Sequence, residues 1–126
     1  MSSVEITTDN FNDTIANNEI VFLDFWAEWC GPCRGFAPVY ETAAAANPDI
    51  VFGKVDTEAQ QELAATFQIR SIPTIAVIRD NIMVFRESGA LPAAGLQQVI
   101  EGVRTLDMDK VRAEIAAQQE AGAQPG

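Results

Sequence analysis

Two thiols stand two residues apart in Trp29-Cys30-Gly31-Pro32-Cys33, and they are the only cysteines in the chain. Thiols at this spacing can close a disulfide and open it again, so the pair can carry two electrons. The attacking species is the thiolate, so whatever favours negative charge on sulfur sets the reactivity. The segment follows the apolar run Ile20–Trp26 and leads into a helical stretch. A helix beginning here puts Cys30 near its N-cap and Cys33 near its third position, with the spare amides of the first turn aimed at the Cys30 sulfur. The helix dipole adds to that stabilisation, and both effects predict a lowered Cys30 pKa. Pro32 lacks an amide hydrogen only where such donors are spare, and its fixed φ suits a first turn. Gly31 removes bulk beside the sulfur. Cys30 is expected to be the exposed nucleophile and Cys33 the buried resolving thiol.

Three plainer readings compete with a reversible couple. A structural disulfide is weak, because a ring this small yields about 2 kcal/mol on the loop-entropy relation, against about 5 for a long loop. A structural zinc site needs four nitrogen or sulfur ligands, and the chain offers two cysteines and no histidine. Two inert cysteines placed by chance are the third. The redox reading is preferred because the spacing and the strand-to-helix setting agree.

The elements that must position these thiols can be read along the chain. Val4–Thr7 reads as an edge strand, and Asp9-Asn10-Phe11 offers an N-cap and a helix start reaching Asn17-Asn18. Ile20–Trp26 is apolar on both faces except at Asp24, as a fully buried central strand is. Pro32–Asn47 reads as a helix kinked at Pro38 and ended by Asn47-Pro48. Ile50–Asp56 is a strand and Glu58–Phe67 a helix, with Leu63 and Phe67 on one face. Pro73–Arg79 and Ile82–Glu87 form a hairpin turning at Asp80-Asn81. Pro92–Thr105 is a helix with Leu96, Val99, Ile100 and Val103 on one face. The first strand-helix-strand passage demands a parallel right-handed crossover, and the hairpin demands antiparallel pairing. The product is an α/β fold, a mixed sheet with helices on both faces. After about Thr105, Asp107 caps a further short helix carrying Met108, Val111 and Ile115, and Ala121–Gly126 is expected to be disordered.

At 126 residues the chain reads as one domain, able to bury roughly two-thirds of its unfolded surface. A net charge of −10 argues against nucleic acid and anionic membrane surfaces. No apolar run approaches the roughly 20 residues that span a bilayer. Met1-Ser2-Ser3-Val4-Glu5 lacks the basic start and apolar stretch of a secretory signal, so a cytoplasmic protein is expected. In that compartment a disulfide is expected to be catalytic rather than structural.

Asp24-Phe25-Trp26-Ala27-Glu28-Trp29-Cys30-Gly31-Pro32-Cys33, with Arg70-Ser71-Ile72-Pro73-Thr74 and Gly89-Ala90 downstream, resembles the thioredoxin family over roughly residues 4–105. The resemblance implies the thioredoxin fold, with about five strands and four helices, as residues 1–105, and leaves 106–126 as a C-terminal extension. It implies that Cys30 attacks and Cys33 resolves. Asp24 matches the family's buried carboxylate, and Lys54 the lysine that lies near it. Pro73 matches a cis-proline facing the disulfide, and Ile72 beside it offers backbone hydrogen bonds to substrate. Trp29, Gly31, Pro32, Gly89 and Ala90 match the flat surface around the site. Arg34 stands in for a frequent lysine, Gln68 for a helix-ending glycine, and Asp80-Asn81 for the usual hairpin glycine.

The residues themselves support part of this. Asp24 interrupts a strand with apolar neighbours on both faces, so burial is expected to raise its pKa into the range of a proton acceptor. Lys54 either modulates Asp24 or snorkels to the surface. Pro73 is otherwise an ordinary strand start. Trp26 is expected in the core and Trp29 on the surface. The activity implied is reduction of protein disulfides through a mixed disulfide on Cys30, by a monomer that binds no cofactor or metal. Electrons are implied to come indirectly from NADPH through a flavin enzyme, thioredoxin reductase. A disulfide oxidase or isomerase on the same fold and a non-catalytic docking module are the alternatives.

Overall fold

The run Ile20–Trp26 becomes β2, and every residue of it except Trp26 is buried, as an apolar strand flanked on both sides requires. The computed structural model describes residues 3–123. Around β2 stand β1 (Ser3–Glu5), β3 (Val51–Asp56), β4 (Thr74–Arg79) and β5 (Ile82–Ser88), in the spatial order β1-β3-β2-β4-β5. β1 and β2 run parallel to β3, whereas β4 runs antiparallel to both β2 and β5. The mixed sheet expected from the element order is therefore present.

Helices cover both faces. Phe36, Tyr40 and Ala44 of α2 (Gly31–Ala46) pack with Leu96, Ile100 and Val103 of α4 (Ala93–Arg104) on Phe22, Phe52, Ile75 and Val77 of the sheet. The spacings of three and four place each set on one helix face. Phe22 and Phe52 stack with ring centroids 4.9 Å apart, and Tyr40 meets Phe52 edge-on at 5.3 Å. On the other face α1 (Phe11–Asn17) and α3 (Gln61–Thr66) cover Val21, Leu23, Phe25, Ala76 and Ile78. Gly53 lets Ile6 close over β3, since a Cβ there would lie 2.5 Å from Ile6 Cγ1 and 3.2 Å from the Phe22 carbonyl oxygen.

Several boundaries differ from the sequence expectation. Asn10 precedes α1 but makes no side-chain cap. Its carboxamide instead accepts from the Thr7 amide at 2.8 Å and donates to the Glu5 carbonyl at 2.9 Å. The α3 segment starts at Gln61 rather than Glu58, because the Asp56 carboxylate accepts from the amides of Glu58 (2.9 Å) and Ala59 (3.3 Å) and holds a turn there. α5 runs Met108–Ala123, so the expected short helix is long and Ala121–Ala123 belong to it rather than to a disordered tail. Its Ala, Gln and Glu content favours helix, and Asp107 caps it by accepting from the Lys110 amide at 3.2 Å. Residues 124–126 lie outside the described residues.

The hairpin turns on Asp80 (φ 53°) and Asn81 (φ 66°), the two positive φ values of a type I′ turn, in residue types that tolerate them. Gln68 also sits at positive φ (54°). It ends α3, where its amide donates to Ala65 (3.0 Å) and the Ile69 amide to Ala64 (2.9 Å), the paired bonds of a Schellman cap. A side chain at this φ is strained, so Gln68→Gly is expected to stabilise the protein by about 0.5–1 kcal/mol in denaturant unfolding. An unchanged or lower midpoint would show that the cap holds Gln68 without strain.

Candidate active site

The antiparallel pairing of β2 with β4 sets Phe25 opposite Thr74. The end of β2 and the start of α2 therefore lie beside the segment that enters β4. Cys30 is the N-cap of α2 (φ −86°, ψ 111°), Gly31 and Pro32 are its first two helical positions, and Cys33 is the third. The Cys33 amide donates to the Cys30 sulfur at 3.2 Å, a contact that strengthens as charge builds on that sulfur. The two cysteines are joined as a disulfide with their Cα atoms 5.3 Å apart.

Both are 4% exposed, so Cys30 is not the exposed thiol the sequence led us to expect. Its cover comes from elsewhere in the chain: Ala27, Trp26 and Ile72 pack around the pair, and the Ile72 carbonyl oxygen lies 3.8 Å from the Cys30 sulfur. The Ile72–Pro73 bond is cis, and Pro73 is buried. The Pro73 carbonyl accepts from the Gly89 amide at 2.8 Å, and Gly89 takes φ +105°, which suits glycine. Ala90 follows it, exposed. Trp29 is 67% exposed, and its indole N–H donates to Glu58 at 3.0 Å. Gly31 and Pro32 are exposed beside it. Cys30, Trp29, Gly31, Pro32, Ile72, Pro73 and Gly89 thus come to one end of the sheet.

Asp24 is 1% exposed, and its Oδ1 has no hydrogen-bond partner among the described residues. Burial pushes its carboxyl from an ordinary 3.8 up to about 7, and the Lys54 ammonium opposes the shift. Lys54 stands directly across the ladder from Asp24. Among the described residues no ion pair joins them. The Lys54 Nζ lies instead over the Trp26 ring, 4.9 Å from its centroid. Half-buried Trp26 therefore serves both core and site, and its own indole N–H is buried with no partner among the described residues. On the α2 side Tyr40 donates to the Gly53 carbonyl at 2.8 Å. Burial, with the charges of Asp24 and Glu41, raises the Tyr40 hydroxyl well above its usual range.

The family model described as Thioredoxin matches residues 2–102. The chain belongs to the thioredoxin family. It is 60% identical over 118 residues to the putative thioredoxin 2 of Streptomyces coelicolor, covering 94% of this chain and 88% of that one. It is 43% identical over 102 residues to thioredoxin C-3 of Corynebacterium nephridii, covering 80% and 70%. Among solved structures, a mutant thioredoxin from Halobacterium salinarum superposes with a TM-score of 0.78 at 30% identity, covering 83% of this chain and 93% of that one. Spinach chloroplast thioredoxin F gives 0.76 at 31% identity, covering 82% and 95%. Like other thioredoxins, this chain is a thiol–disulfide oxidoreductase, a protein-disulfide reductase whose redox-active pair is Cys30–Cys33. No helix among the described residues is long and apolar enough to cross a membrane.

Beside the expected thioredoxin site residues stand partners that no local pattern announces. Glu58 holds the Trp29 indole from a position 29 residues away. Arg34 steadies the active-site loop by donating to the Glu28 carbonyl at 2.7 Å. The Lys54 ammonium lies over the Trp26 ring, and Trp26 is thereby a neighbour of the Asp24–Lys54 ladder pair.

The Asp24 shift carries a sign for stability. The native state keeps a proton that the unfolded chain has already lost, so the protonated carboxyl's advantage is complete below pH 3.8 and is lost as pH rises through about 7. A shift of this size is on the order of 4 kcal/mol. The oxidised protein is expected to lose stability on that order between pH 4 and pH 8. In Asp24→Asn that slope is expected to vanish, as urea unfolding across the range will report. An equal slope in the variant would assign the pH dependence to another group.

Proposed function

We propose that Cys30 is the attacking thiolate and Cys33 the resolving thiol of this reductase. The observation that carries the assignment is the N-cap geometry, in which the Cys33 amide donates to the Cys30 sulfur. The Cys30 thiolate attacks one sulfur of a substrate disulfide, forming a mixed disulfide and expelling the other substrate sulfur as a thiolate. Asp24, directly or through a water, takes the proton from Cys33. The Cys33 thiolate then attacks Cys30, the Cys30–Cys33 bond forms, and the second substrate thiolate leaves. Two electrons have passed from the protein to the substrate. A carboxyl titrating near 7 suits an acceptor working at neutral pH. Lys54 adjusts that affinity, since its charge favours the carboxylate.

The substrate docks against Trp29, Gly31, Pro32, Ile72, Pro73, Gly89 and Ala90, with the Ile72 backbone pairing with the substrate strand. The oxidised protein is returned to the dithiol by a flavin-containing, NADPH-dependent thioredoxin reductase, and the chain itself binds no cofactor. It acts in the cytoplasm as a monomer, with residues 1–105 as the thioredoxin domain and 106–126 as a C-terminal extension that includes α5.

Cys33→Ser is expected to trap substrates as mixed disulfides on Cys30, whereas Cys30→Ser traps none, as non-reducing gels and mass spectrometry will show. Equal trapping by both variants would overturn the assigned order. Asp24→Asn is expected to slow resolution at pH 7 by about tenfold or more, within the range of general acid–base effects. An unchanged rate would remove Asp24 from the proton path.

A further inference from the structure

A groove of about 280 Å³ is lined by Trp29, Thr57, Ala64, Ile69, Arg70 and Ile72, with Ser71 between the last two. Ile72 joins groove to sulfur, since its carbonyl oxygen lies 3.8 Å from Cys30 Sγ. The walls are mainly apolar, and the one cation among the lining residues is Arg70. Arg70 is exposed.

The chain has eight lysines and arginines against eighteen acids, and most of the cations are engaged elsewhere. Arg34 holds the Glu28 carbonyl and Lys54 lies over Trp26. Arg79 pairs with Glu19 and with carbonyls at the end of α4, and Arg86 holds the carbonyls of Phe67 and Gln68. Arg104 pairs with Asp49, and Arg112 with Asp80 and Asp109. Among the described residues, that leaves Arg70 and Lys110 with no side-chain partner. Lys110 lies in the first turn of α5, which adjoins Arg79 through Leu106, at the opposite end of β4 from Pro73. Arg70 is thus the uncommitted cation at the redox end of the molecule.

We propose that Arg70 selects substrate segments carrying an acidic side chain within about two residues of the cysteine under attack, the reach set by the Arg70–Ile72 spacing of the groove wall. The inference rests on the reductase function proposed above and names a substrate class for it. A net charge of −10 repels an acidic partner at long range, but salt screens that repulsion beyond about 8 Å. A carboxylate in contact with Arg70 is screened far less, and the planar guanidinium can receive both of its oxygens. The Glu58 carboxylate near the groove accepts from the Trp29 indole N–H through Oε1, and among the described residues it makes no ion pair with Arg70. A segment with an apolar side chain in the groove and a carboxylate at its Arg70 end therefore matches both features.

The test uses the full-length reduced protein and a series of disulfide-linked peptides that differ only in Glu, Gln or Lys two residues before or after the attacked cysteine. Stopped-flow tryptophan fluorescence gives the second-order rate for each. In Arg70→Glu the ratio of Glu-peptide to Lys-peptide rates is expected to fall by about threefold or more relative to the wild type, the scale of an exposed ion pair reversed. Arg70→Gln should fall between, and 0.5 M salt should shrink the difference. Lys110→Glu changes the net charge by the same amount as Arg70→Glu and is expected to leave the ratio where it was. An unaltered ratio in Arg70→Glu, or an equal fall in Lys110→Glu, would overturn the proposal. Failure of the wild type to reduce any peptide would instead overturn the reductase reading on which it rests.

Discussion

The antiparallel ladder between β2 and β4 decides where the sulfur chemistry happens. Its register sets Ile20 against Arg79 at one end and Phe25 against Thr74 at the other. The first end is structural: the Arg79 guanidinium donates to the Val103 carbonyl at 2.7 Å and the Leu106 carbonyl at 3.1 Å and pairs with Glu19, so it fastens the close of α4 and the approach to α5. The second end is chemical. There the chain leaves β2 for the N-cap of α2 just where another segment enters β4 through Pro73. A slip of one residue would turn every β4 side chain to the opposite face, so the buried residues on both faces hold the Ile72 carbonyl against the Cys30 sulfur.

Within that frame the site carries an electrostatic conflict. Asp24 lies in the most buried strand of the protein, where an ionised carboxylate is costly. The obvious relief, an ion pair with Lys54 across the ladder, is not made among the described residues, and the ammonium lies over the Trp26 ring. Burial, only partly opposed by the Lys54 charge, leaves the carboxyl protonatable near neutrality rather than locked as an anion.

Much of this was legible in the residues. The unbroken apolar run of β2 with one acid in it announced a buried strand and a buried carboxyl. Gly31-Pro32 between the cysteines announced the helix start, and Asp107 announced the cap of α5. These inferences succeed because propensity, capping and periodicity act within a turn or a strand. Where the reading failed, a competing contact was hidden from it. The start of α3 moved because the Asp56 side chain captured the amides of Glu58 and Ala59. The burial of Cys30 was missed because its cover, Ile72, comes from 42 residues away.

The sequence alone determined that two thiols would meet at the head of a helix after a buried strand, and that an acid would be trapped in that strand. Spacing and hydrophobic pattern suffice for both, since neither depends on how distant segments close. The tertiary structure alone decided that Cys30 is covered, that Trp29 is held by Glu58, that Lys54 lies over Trp26, and that Arg70 has no side-chain partner among the described residues at the lip of the groove. Each depends on through-space distances set by sheet register and helix packing, which join residues that no local rule relates.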